Sequence, residues 1–380
     1  MQSFPFRLPN VGKNSLARWI IVALGIALAL GVVLRFFGDW PGSESKTVQP
    51  IIGNENVTDS ILTLVAVGDL MMGSNYPSDA YCPPKNLKLL EPVSEFLQAA
   101  DLTFANLEGT VMNEGGQRKP CNNPSACYAF RQPEYLVDQI RAAGIDLLSV
   151  ANNHLGDFGE EGRLNTCRVL REKGFRFGGQ ETHPWDTITV KGIRIGLTAF
   201  APNSACLPMN DSERVKEIIR ELKKKCDWVI VSFHGGAEGN GRTHVLRKTE
   251  NFLGENRGNV YAFARLAIDA GADVILGHGP HVPRAIDLYK GRFIAYSMGN
   301  FCTYGQFNLK GDAGIAPLFQ LTIRRDGRFL EGKILSIKQT GEGGPVPDPD
   351  KAAEKLIRAL TLADIPENRL DFDSTGTFRF

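Results

Sequence analysis

Four of the six histidines in this chain, His154, His234, His278 and His281, sit at the ends of short apolar runs or in the turns that follow them. Asp69, Glu108 and Asn153 occupy the same kind of position, and Glu238 follows His234 by one helical turn's worth of sequence. A single polar residue after a strand is routine, because turns favour Asp and Asn for local hydrogen bonding. Five strand ends that together carry most of the histidines exceed what turn chemistry requires. Carboxylate, amide and imidazole groups in combination suit a hard or borderline divalent ion such as Mn²⁺, Zn²⁺ or Fe²⁺. A set this rich could hold one or two ions around a bridging carboxylate, an arrangement that clamps and activates a water.

The elements that would carry these groups follow from hydrophobic periodicity. Apolar runs predict strands at 62–67, 102–106, 146–150, 228–233 and 274–276, ending in Gly68-Asp69, Leu107-Glu108, Asn152-Asn153-His154, His234 and Gly277-His278. Gly279 and Pro280 then bend the backbone before His281. Helical spacing covers 93–100, 133–143, 160–173, 212–225, 260–270 and 351–362. Hairpins are expected around Lys191-Gly192, Lys290-Gly291 and Asp326-Gly327. Strands alternating with helices define an α/β protein, and the added hairpins suggest a second sheet packed on the first. The stretch 239–258, rich in Gly, Asn and Arg, reads as a lid or ligand contact.

Composition narrows the function. Lys plus Arg is 43 against 42 for Asp plus Glu, so no broad basic field recruits nucleic acid. Residues 19–37 are almost wholly apolar and long enough to span a bilayer, with Arg7, Lys13 and Arg18 ahead of them. That charge bias puts 1–18 in the cytoplasm, and 19–37 reads as an uncleaved transmembrane anchor, with a cleaved signal peptide as the alternative; either way the body lies outside the cytoplasm. Residues 38–60 read as a linker, 61–340 as the folded domain, and 341–380 as a tail with a short surface helix. Among seven cysteines, Cys121 and Cys127 bracket a short loop and could close a disulfide; Cys82 is a further candidate. Ser297 lacks the glycine pattern of a nucleophile elbow and reads as packing, while His183 and His244 lie in polar loops and read as solvated.

Taken together, Gly68-Asp69, Asn106-Leu107-Glu108, Ala151-Asn152-Asn153-His154, His234-x-x-x-Glu238, Gly277-His278-x-Pro280-His281 and Ser297-x-Gly299-Asn300-Phe301 occur in the order and approximate spacing of the CapA family of poly-γ-glutamate capsule biosynthesis proteins, which this chain resembles over about 62–302. The resemblance implies a four-layer αββα sandwich of two mixed sheets flanked by helices, of the calcineurin-like metallophosphoesterase type. It implies metal ligation by Asp69, Glu108, Asn153, His234, His278 and His281, with His154 catalytic and Glu238 and Asn300 contacting substrate. It implies one or two divalent ions, and as partners an anionic polymer or its precursor and membrane synthase or export subunits. Met71 stands where the metallophosphoesterase pattern has a histidine, and Glu108 where it has an aspartate. Within the family pattern, Gly235 replaces a tryptophan and Gly279 a histidine.

Overall fold

The computed structural model describes residues 61–121 and 127–379; the expected cytoplasmic segment, anchor and linker lie outside the described residues. Among the described residues no helix is long and apolar enough to cross a membrane. Two sheets form the body. The larger runs, in spatial order, through Asp371–Phe372, Thr377–Arg379, Phe329–Gln339, Ile315–Arg324, Ile61–Met71, Leu102–Leu107, Leu147–Ser149 and Arg176–Gly178. Asn300–Thr303 also pairs with Ile61–Met71, and Pro345–Pro347 with Phe329–Gln339. The smaller sheet runs through Ile286–Tyr289, Arg292–Ala295, Val274–His278, Trp228–His234, Ile193–Phe200 and Trp185–Val190.

The period-two alternation of side chains sorts each strand between two cores. Leu62, Leu64 and Ala66 face the layer between the sheets, where they join Phe104, Ile195, Leu197, Trp228, Ile230, Val274 and Phe319. Their neighbours Val65 and Val67 face the opposite way, into a core shared with Leu136, Val137, Ile140, Val169 and Leu170 of the Glu134–Ala142 and Gly159–Glu172 helices. On the far side, Val229, Val231 and Ile275 pack under Ile218, Ile219, Leu222, Phe263 and Ala267 of the Ser212–Lys223 and Val260–Ala270 helices. Each fully buried aliphatic or aromatic side chain contributes roughly 1.5–3 kcal/mol, so all three layers matter to stability. Asp211 and Asn259 start the last two helices by accepting the Arg214 and Ala262 backbone N–H groups.

Two expectations change. The segment read as a tail is built into the body: Thr377–Arg379 and Pro345–Pro347 both pair with Phe329–Gln339. The Ala352–Asp364 helix buries Ile357 and Leu360 instead of lying on the surface. Periodicity showed that helix but not which partner covers its apolar face. The first strand also continues through Gly68-Asp69 to Met71, with its pairing register slipping on either side of Asp69. Such a bulge re-aims a side chain beside a functional site. Gly68 is required there because a Cβ would lie 2.0 Å from the Gly299 carbonyl oxygen, which accepts the Asp69 N–H at 2.9 Å.

Candidate metal centre

Parallel strands of both sheets end at one shared edge, and the polar residues converge there. In the larger sheet Asp69 lies beside Asn106 and Asn300 in register. In the smaller sheet His278 lies beside His234. Asp69 joins the sheets: its Oδ1 is 2.8 Å from His278 Nδ1 and its Oδ2 3.1 Å from His281 Nδ1. Asn106 Nδ2 donates to Asp69 Oδ1 at 2.9 Å, and Asn152 Nδ2 ties back to the Leu107 carbonyl at 2.8 Å. Glu108 is wholly buried with Oε1 3.5 Å from His281 Nε2 and 3.9 Å from His154 Nε2. One ligand atom from each of Glu108, His234 and His281 lies within 4.8 Å of the others. His281 adopts a left-handed φ of 59°, a strained backbone of the kind that persists at functional sites.

Whether these residues fit a divalent ion is decided by their unpaired atoms. Both Glu108 oxygens, both His234 ring nitrogens, His278 Nε2 and Asn153 Oδ1 are buried without a hydrogen-bond partner. Buried polar atoms are nearly always paired, and leaving this many lone-pair donors together unmatched is costly. A cation held among Glu108, His234 and His281 would take up one ligand atom from each. They fit.

The electrostatics agree. Burial tends to raise Asp69, but the imidazoles of His278 and His281 hold it far below the usual carboxylate range. Burial pushes Glu108 up to about 8, with Asp69 and Glu238 adding to the effect. Against its own burial, His281 is lifted to about 10 by Glu108 and Asp69. His234 is kept well below the usual imidazole range by burial and by Arg257, so it is neutral and free to ligate.

His154 stands slightly apart. Its Nδ1 is 2.7 Å from Asp157 Oδ2, and its ring packs on Phe130 at 4.2 Å between centroids. Asp157 also pairs with Lys119 Nζ at 2.5 Å and accepts the Phe130 N–H at 2.6 Å. This leaves His154 Nε2 turned toward the Glu108 side.

Of the expected metal-ligating residues, Glu108, His234 and His281 bring ligand atoms within 4.8 Å of one another, Asp69 touches His278 and His281, and Asn153 contacts Glu238 at 3.5 Å. Asn300 differs from expectation: its Nδ2 donates to the Ala313 carbonyl and its Oδ1 sits 3.1 Å from His281 Nδ1. It is 1% exposed and orients the histidine. Met71 is buried in the core, so no nitrogen enters from that position. Gly235 and Gly279 abut, since a Cβ on Gly279 would lie 2.6 Å from the Gly235 carbonyl oxygen. The two glycine replacements are therefore one packing feature. Ser297 donates to the Val282 carbonyl at 2.7 Å, consistent with packing. His183 packs on Phe177 and is only partly exposed. Cys121 and Cys127 are bridged, and Cys82 is free. Sequence reasoning missed Asn106, Asp157 and Arg257; Asp157 was signalled by its three-residue spacing from His154.

The chain is a two-sheet α/β protein with a carboxylate–imidazole cluster at its strand ends that could hold a metal ion. Residues 63–304 match the family described as bacterial capsule synthesis protein PGA_cap, and the chain belongs to that family. It is 27% identical over 351 residues to the capsule biosynthesis protein CapA of Bacillus anthracis, covering 85% of this chain and 77% of that one. It is 25% identical over 370 residues to the PGA biosynthesis protein CapA of Bacillus subtilis (strain 168), covering 92% and 90%. Among solved structures, a hypothetical protein from Thermus thermophilus aligns at TM-score 0.45 and 15% identity, over 73% of this chain and 100% of that one.

Proposed function

We propose that this protein acts in the synthesis or export of an anionic capsule polymer such as poly-γ-glutamate, through a hydrolase-like site holding one or two divalent ions (Mn²⁺, Zn²⁺ or Fe²⁺). The observation that carries the metal reading is the grouping of Glu108, His234 and His281 ligand atoms within 4.8 Å of one another, with buried unpaired atoms on Glu108 and His234 and further ones on His278 and Asn153. The polymer reading rests on the names of the Bacillus relatives.

An ion held there would supply Lewis acidity and offset negative charge developing on the substrate. Asp69 keeps both His278 and His281 turned into the site through their Nδ1 atoms. Asp157 fixes the proton of His154 on Nδ1, which leaves Nε2 to accept or return a proton at the reacting group. The body is held outside the cytoplasm by the 19–37 anchor, a reading that the Cys121–Cys127 bridge supports because disulfides persist in oxidising compartments. Synthase or export subunits in the same membrane are its partners.

A second reading is an accessory subunit that binds polymer or synthase without catalysis. Met71, which contributes no ligand, favours it. Metal analysis of the purified protein, with phosphoesterase and γ-glutamyl hydrolase assays, separates the two. Bound metal, and polymer output that collapses in a His154→Ala, His278→Ala double variant, supports the enzyme. No metal and unchanged output would leave only the accessory role.

A further inference from the structure

The loop between His234 and the Val260–Ala270 helix contains a group outside the metal cluster whose bonding is incomplete. The side chain of Arg257 is 1% exposed, and its Nη1 pairs with Glu238 Oε1 at 2.8 Å and lies 3.6 Å from Glu255 Oε2. Its Nε and Nη2 are buried and have no hydrogen-bond partner among the described residues. These two nitrogens form one edge of the guanidinium, whose parallel N–H bonds match two oxygens of a carboxylate or phosphate.

Arg284 shows how this fold satisfies an arginine used for structure alone. Equally buried, it donates through Nε to the Arg242 carbonyl at 2.7 Å and through Nη1 and Nη2 to Glu250, both at 2.8 Å. Arg257 uses one nitrogen and leaves an edge unmatched. Arg257 lines a cavity of about 870 Å³ together with Asn153, His154, Glu238, Asn203 and Asn256. Asn153, whose Oδ1 is itself unpartnered, lines the same cavity, so the arginine shares it with an expected metal ligand and with His154.

We propose that the Nε–Nη2 edge of Arg257 is an oxyanion site that seats a phosphate or carboxylate group of the substrate beside the metal centre. This rests on the metal-site reading above. Glu238 is the positioning residue: it grips Nη1, and its Oε1 lies 3.5 Å from Asn153 Nδ2, which keeps arginine and amide in register.

The test uses the full-length protein, both Mn²⁺-loaded and chelator-treated, as wild type, Arg257→Gln and Arg257→Lys. Isothermal titration measures binding of inorganic phosphate and, separately, of glutarate; elemental analysis measures Mn²⁺. Expected is saturable binding of at least one anion by the wild type, weakened at least tenfold in Arg257→Gln with Mn²⁺ content unchanged. Arg257→Lys, which keeps a charge for Glu238 but loses the fork, recovers only part. Preference for phosphate assigns a phosphoryl group, and preference for glutarate a carboxylate polymer. The proposal is overturned if the wild type binds neither anion, if Arg257→Gln binds like wild type, or if Mn²⁺ or the folded state is lost in both variants. Arginine-dependent binding in a protein that takes no Mn²⁺ would sink the metal reading and leave the oxyanion site standing; Mn²⁺ without anion binding would do the reverse.

Discussion

Asp69 is the residue on which both sheets depend for their common edge, because it contacts His278, His281 and Asn106 together. Asn106 touches none of the unpaired atoms but holds Asp69 in place. Removing such an outer partner typically weakens metal affinity about 10–100-fold. Asn106→Ala is expected to show that loss in a chelator competition titration while remaining folded. His154 gives the opposite pattern. His154→Gln should keep its metal and lose about 10²–10⁴ in turnover of whichever substrate the hydrolase assays identify, the usual share of a general acid or base. Equal turnover in that variant would remove His154 from the chemistry.

Among the elements, the turn between Gly277 and His281 is the most tightly specified. Gly279 has a φ of +115° and no room for a Cβ against Gly235. Gly279→Ala is expected to cost about 1–3 kcal/mol through backbone strain, read as a lowered thermal midpoint, and to weaken metal binding by shifting the histidines on either side. Another element carries a pH signature. Asp348 accepts the Ala352 N–H at 2.9 Å at the start of the last helix and pairs with Lys338 at 3.1 Å. Burial alone would raise its carboxyl, but the Ala352 N–H and the Lys338 ammonium hold it below the ordinary value. Its stabilisation is therefore complete above the unfolded value near pH 4 and vanishes as pH falls through the lowered folded value. Asp348→Ala should lose about 1 kcal/mol at pH 7 and progressively less below pH 4, by thermal melts across pH.

The strand ends bearing Asp69, Glu108, Asn153, His234 and His278 were legible in the sequence because short apolar runs broken by Gly or Asn mark both strand and turn. Arg257 was not, since it lies in an irregular loop and its significance is the bond it fails to make, which only three-dimensional contacts reveal. The substrate role expected of Asn300 failed for a related reason. A motif position shows proximity to a site, whereas the atom that consumes each hydrogen bond depends on Ala313 and His281, distant in sequence or outside the motif.

At the scale of the whole molecule, the carboxyl-terminal segment decides integrity. Ile357, Phe372 and Phe378 belong to the core between the sheets, with Leu64, Phe319 and Ile334. A chain ending at residue 340 is expected to aggregate where the full chain is monodisperse by size-exclusion chromatography. A soluble, metal-binding truncation would show that 341–379 is an accessory. The layering of the molecule was legible in outline, from alternating strands and helices. The incorporation of this segment was not, because Thr377–Arg379 and Pro345–Pro347 are too short to show a period.

That last strand also sets the order in which the molecule can be completed. Thr377–Arg379 lies along Glu331 to Lys333 of Phe329–Gln339, within four residues of the chain end. Until it arrives, Glu331 to Lys333 presents backbone groups open to pairing with another chain. Any fragment arrested before residue 377 carries an open edge that proteases and chaperones can recognise, whereas pairing of Thr377–Arg379 hides it.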